Sequence, residues 1–184
     1  MLTIPNLIAH YQKMIVVTRM QKFYSSFNQA IKMSEIKNGS VEDWIFPFGG
    51  YGNAEMQIEF YEKYLKDYLK VVKYEKYYDN NISLYGIKMY FGDGSAALYG
   101  DQHIVFYPVA TKNSIDGKDS FTFVFTPNTK SMVPYGIHTK QTRNDLKNHP
   151  TFGCGRIENK NRRYCAALIM HDGWKISDDY PVKF

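Results

Sequence analysis

No stretch of this chain approaches the roughly 20 consecutive apolar residues that a helix needs to cross a bilayer. Nor does it open with a basic segment followed by an apolar core and a small-residue cleavage site, so no secretion signal can be read from it. As written, the 184 residues are expected to be soluble and unaddressed, with any export address removed or lying upstream of Met1. Cysteine is scarce, with two residues in all, which excludes a disulfide-dense mini-scaffold and a cysteine-rich zinc domain. Internal repeats and low-complexity tracts are absent, so solenoid and linker-like architectures drop out. Charge excess is small: 23 basic against 18 acidic residues leave a formal net charge of +5. A strongly polyanion-binding protein would carry more.

What is present is a globular composition, 44% hydrophobic and 22% charged, with an unusual aromatic share of 16 Tyr and 12 Phe. A chain of this length buries roughly 70% of its unfolded surface, enough for one domain with a sizeable core. Tyrosines in such number suit half-exposed strand faces and interaction surfaces.

Periodicity divides the chain. From Pro5 to about Ile36, residues Val16, Met20, Phe23, Phe27, Ala30 and Ile31 recur at steps of three and four, with Val17, Tyr24 and Ser34 widening the stripe. That pattern predicts one long amphipathic helix. Proline is tolerated in its first turn, and Asn38-Gly39 supplies the stop. A helix of about 32 residues spans about 48 Å, longer than a domain this size is wide, so part of it is expected to protrude. Loop follows to Asn53, which is predicted to cap a second helix running to about Tyr74, with Met56, Phe60, Tyr64, Tyr68 and Val72 at steps of four, Leu65 and Leu69 beside them, and Glu59 and Lys63 as a supporting pair. Asp79-Asn80-Asn81 breaks the pattern.

Beyond Ile82 the period falls to two. Strands are predicted at Ser83 to Tyr90, Ser95 to Tyr99, Ile104 to Val109, Phe121 to Thr126 and Met132 to Tyr135, with Gly92-Asp93-Gly94 as a hairpin turn. Connections this short require antiparallel order. Pro134 to Cys165 reads as loop, Cys165 to Met170 as a helical turn, and His171-Asp172-Gly173-Trp174 as a turn toward the C-terminus, with Trp174 expected to bury its ring under the tail. The fold class is thus α+β: a helical spine at 1–37, a loop and second helix at 38–81, an antiparallel sheet at 82–135 and a loop-rich C-terminal region at 136–184.

Cys154 and Cys165, flanked by Gly153, Gly155 and a polar loop, fit a disulfide worth about 2.5–3 kcal/mol by loop entropy, and favour an oxidising compartment. Two free thiols in a reducing compartment are the alternative. Between them lies the strongest basic segment, with Arg156, Lys160, Arg162 and Arg163. A solvated loop is the plain reading, and contact with an anionic polymer the sharper one.

Several features invite chemistry without the spacing it requires. Cys154 with His138, His149 and Asp145 suggests a thiol site but carries no signature of one. These imidazoles together with His103 and His171 are too scattered for a metal. Gly92-Asp93-Gly94 and Asp116-Gly117-Lys118-Asp119 lack the spacing of a calcium loop, and Gly49-Gly50-Tyr51-Gly52 lacks the strand and the Lys-Ser/Thr of a phosphate cradle. No cofactor or catalytic residue is expected.

Three groups of residues carry a resemblance: Thr3-Ile-Pro-Asn-Leu-Ile-Ala-His-Tyr-Gln-Lys13 with Val17 to Ser25 and Gln29-Ala30-Ile31; Tyr64 to Lys73 with Val133-Pro134-Tyr135-Gly136; and Cys165 to Ile169 with Asp172 to Ile176. In them the chain resembles bacterial type IV pilins and the pseudopilins of type II secretion systems. The resemblance implies a subunit whose first helix packs on an antiparallel sheet by its C-terminal half and bundles with other pilin subunits by its N-terminal half, here through Leu7, Ile8, Tyr11 and Ile15. It implies a filament at the cell surface or in the periplasm, anchored in the cytoplasmic membrane before assembly through an upstream apolar helix. The leader, cleavage site and apolar half typical of such proteins are not in this sequence, so no processing site is assigned to any residue. The runner-up is an adhesin or DNA-uptake pilin using the basic loop.

Overall fold

Between Asn6 and Asn38 the chain has neither glycine nor proline, and the computed structural model places a single unbroken helix there, α1 (Ile4–Asn38). The structure describes residues 4–48, 54–79, 84–110, 114–137, 141–158 and 161–184. The predicted stop holds: Gly39 takes a left-handed φ of 77°, open to glycine at little cost, and donates its N–H to the Glu35 carbonyl at 3.1 Å. A short 3-10 turn (Val41–Asp43) leads to α2 (Ala54–Tyr64). Asn53 and the Gly49 to Gly52 run fall outside the described residues.

Six strands then form one antiparallel sheet in chain order: β1 (Lys73–Asp79), β2 (Leu84–Tyr90), β3 (Ala96–Gly100), β4 (His103–Tyr107), β5 (Phe121–Val124) and β6 (Val133–Pro134). The β1–β2, β2–β3 and β3–β4 connections are too short for a crossover helix, so these strands pair as hairpins. The C-terminal region adds α3 (Arg143–Asn148) and α4 (Cys165–His171).

Two expectations are corrected. The second helix ends at Tyr64, ten residues earlier than its step-four spacing predicts, because the Leu65 and Lys66 N–H groups both turn onto the Tyr61 carbonyl. The following Val71, Val72 and tyrosines favour extended backbone and supply a sixth strand, paired from Lys73 opposite Tyr90 to Asp79 opposite Leu84. Val72, assigned to the helix's apolar face, is exposed, and the supporting ion pair is Glu62 with Lys66 at 3.0 Å. Trp174 is only half-buried and packs at 5.3 Å against Tyr24 of α1. Anchoring the tail falls instead to buried Tyr180 and Val182, with the Tyr180 hydroxyl donating to the Gly117 carbonyl at 2.6 Å.

Strand alternation sorts the sheet into two faces. Ile87, Met89, Ala97, Tyr99, Ile104, Phe106, Phe121 and Phe123 point to the helices and are fully buried with the α1 stripe of Met20, Phe23, Phe27, Ala30 and Ile31. Phe23 stacks on Phe106 at 4.5 Å and meets Phe123 edge-on, while Phe125 is ringed by Phe27, Trp44 and Phe46. Aromatic contacts of this kind add about 0.5–1.5 kcal/mol each beyond the area they bury. On the outer face Ala96, Leu98 and Tyr107 are covered by Tyr77, Tyr90 and Val105, and the Lys88 ammonium lies over three phenol rings. The Tyr90 hydroxyl donates to Glu75 at 2.7 Å, and burial with that bond pushes its phenol up to about 12.

Candidate assembly surface

Among the residues of α1 whose burial is described, the first to be buried is Val16. Before it, Ile4, Leu7, Ile8, Tyr11 and Met14 are each 53–76% exposed, with Ile15 half-buried at the boundary. At roughly 100° per residue this stripe centres about 150° around the helix from the stripe that packs on the sheet. The two faces are therefore distinct, and an apolar partner could lie on the first without displacing the second. The described residues 4–15 make about 18 Å of helix at 1.5 Å per residue. Isolated exposed apolar residues need no explanation, but an aligned series on one rigid face does. Farther along, Met33 and Ile36 are exposed on the same side.

Side chains at and beyond the boundary hold the rod in place. Arg19 donates to the Pro108 carbonyl at 2.6 Å and Lys22 pairs with Asp93 at 3.1 Å. The Asn28 amide donates to the Met132 carbonyl at 3.0 Å and accepts from the Met132 N–H at 2.8 Å. These contacts fix the direction in which residues 4–15 project. The resemblance implied contact residues at Leu7, Ile8, Tyr11 and Ile15, and the structure leaves the first three exposed. Sequence periodicity missed Asn28, which lies beside the stripe and not in it.

The basic loop is organised otherwise. Arg156 donates to the Pro150 carbonyl and pairs with Glu158 at 2.6 Å; Arg162 donates to the carbonyls of Arg156 and Ile157 at 2.8 and 3.3 Å. The Arg163 guanidinium lies over Tyr135 and Phe152 at 5.5 and 5.4 Å. These three cations hold the loop together, and Lys160 lies outside the described residues. Cys154 and Cys165 are joined, fully buried, with Cα atoms 4.7 Å apart, so neither is a thiol nucleophile. His149 accepts the N–H groups of Thr151 and Phe152 on Nδ1, and Asp145 caps α3 together with Thr142. His138 falls outside the described residues. The His103 ring lies tilted against Tyr135 at 5.7 Å, and His171 lies 3.5 Å from Asp172.

Among the described residues no group of three or more His, Cys, Asp or Glu side chains could hold a metal ion. The aspartates of the two suspected calcium turns are engaged locally, Asp93 with Ser95, Asp116 with Ser120 and Asp119 with the Ile115 N–H. No helix among the described residues is long and apolar enough to cross a membrane.

One family model, described as a family of unknown function (DUF6613), matches residues 6–184. No curated protein and no solved structure matches the chain.

Proposed function

The chain belongs to the DUF6613 family, and from its own geometry we propose that it is a non-enzymatic structural subunit of a surface filament or secretion pseudopilus, assembling with other subunits through the N-terminal half of α1 and displaying the β-sheet. One observation carries the reading: the helix has two apolar faces, and only one is used within the molecule. The resemblance to pilins and pseudopilins in the same residues supports it, as does a buried disulfide, which suits an oxidising location outside the cytoplasm.

Magnitudes favour many neighbours over one. Full burial of an Ile, Leu or Met side chain contributes about 1.5–3 kcal/mol, and these are already partly covered, so the stripe offers on the order of 5–10 kcal/mol. Association costs about 4–15 kcal/mol in lost freedom. A single helix pair is thus marginal, whereas a helix contacted on two sides in an array gains twice from one ordering cost. The anionic-polymer alternative requires Arg156, Arg162 and Arg163 to abandon internal partners.

Immunogold labelling of the producing cells with antibody to the sheet domain, combined with mechanical shearing, tests the proposal. Labelled filaments and a sheared polymer containing disulfide-closed chain are expected. Recovery of the chain only as a reduced cytosolic monomer would sink it.

A further inference from the structure

At the end of the sheet remote from the Tyr77–Tyr90–Tyr107 cluster lies an open depression of about 460 Å³, lined by Gln102, Val124, Thr126, Asn128, Thr129 and Val133. Its volume falls within the usual range for small-molecule sites. Val124 and Val133 are cross-strand partners beneath it, Val124 buried and Val133 half-buried. Thr126 and Thr129 brace its rim, each N–H donating to the other's hydroxyl at 3.0 and 3.1 Å. Gln102 and Asn128 spend their side-chain amides on no described group. Each amide therefore offers two donors and an acceptor to a ligand. Among the described residues no basic or acidic side chain lines the site, and the adjacent Lys130 is paired with Glu42 at 2.5 Å.

This lining selects by exclusion. An ionic ligand would shed water and meet no opposite charge, and an apolar one would strip water from two amides without replacing it. A peptide adding as a strand at this edge would meet β6, two residues long and ending in Pro134, which has no N–H to donate. A pyranose presents vicinal hydroxyls that match an amide's donor and acceptor, and a C–H face that covers valine. We propose that this depression binds a neutral saccharide, with Gln102 and Asn128 holding the hydroxyls and Val133 meeting the ring face. The site is independent of the assembly helix, and its failure would leave the filament reading standing.

Titration of the isotopically labelled full chain with maltotriose, cellotriose and triacetylchitotriose, followed by nuclear magnetic resonance, tests it, with a galacturonic acid trimer and trialanine as charged and peptide controls. At least one neutral sugar is expected to shift the amide signals of Gln102, Thr126, Asn128 and Thr129 saturably, and Q102A/N128A to weaken that binding by about tenfold or more, the rest of its spectrum unchanged. Should the double variant lose its fold, the single exposed-site variant N128A takes its place. Absence of shifts with all three sugars, equal shifts with either control, or unaltered binding by the variant would overturn the proposal.

Discussion

Asn28 joins the two layers of the fold with a single side chain. Its amide imitates a strand neighbour, donating to and accepting from the same residue, Met132, just before β6. Replacement by alanine leaves a partly buried N–H and carbonyl to find water or nothing, at a cost of about 1–3 kcal/mol. Asn28→Ala is therefore expected to lower the urea midpoint with an unchanged m-value. Asn28→Asp retains the acceptor and should recover part of the loss. Equal stability of the parent and Asn28→Ala would show that water replaces the amide fully. Nothing in the sequence marks this residue, since a polar position flanking an apolar stripe is what every surface helix has. The stripe itself was legible because Met20, Phe23, Phe27, Ala30 and Ile31 obey one period over three turns, and all are fully or nearly fully buried.

Elements differ in how much of themselves they write into local sequence. α1 and the strands β2 to β5 were readable, for each keeps one period long enough to outweigh its neighbours. The join between α2 and β1 was not: Tyr64, Tyr68 and Val72 keep helical spacing while the chain between them turns, and pairing with β2 decides the outcome. α3 is six residues, mostly polar, and is held from outside. Its first residue, Arg143, makes two bonds to Asp172 at 2.7 and 2.9 Å and two to Asp179 at 3.1 and 2.8 Å, with Lys147 adding a bond to Asp179 at 2.9 Å. α3, the end of α4 and the tail are thus clasped together.

The Arg143 guanidinium holds both carboxyls below the ordinary aspartate range, helped at Asp179 by Lys147. In the unfolded chain they return to about 3.9. Acid therefore protonates the unfolded state first, so the clasp's stabilisation is complete above about pH 5 and fades as pH falls through 4 and below. Thermal melts followed by circular dichroism should show a flat midpoint from about pH 5 to neutrality and a decline below about pH 4. In Arg143→Met the midpoint should be lower at neutral pH and the acid decline shallower. Identical acid slopes in the two proteins would mean that other carboxylates, not the clasp, govern the decline.

For the molecule as a whole, the 150° offset between the two α1 stripes separates the residues that hold the fold from those proposed to meet other subunits. Residues that hold the fold, Met20, Phe23 and Phe27, are buried, whereas Ile8 and Tyr11 touch little of their own chain. Lysine at both of the latter positions removes apolar surface from the outward face and adds like charge to every copy, so neighbouring helices would repel. Core packing is untouched, and surface substitutions of this kind usually change stability by no more than about 0.5 kcal/mol. Sedimentation velocity over a concentration series is expected to show the parent chain associating and Ile8→Lys/Tyr11→Lys remaining monomeric, with the same melting temperature. Raised salt should leave the parent's association intact or strengthen it, because apolar contacts are not screened as ion pairs are. Arg156→Glu/Arg162→Glu provides the contrast: it disturbs the disulfide loop and should leave association alone. If the arginine variant and not the lysine variant abolished association, the contact surface would lie at the C-terminal loop, and the exposed stripe would have some other occupant.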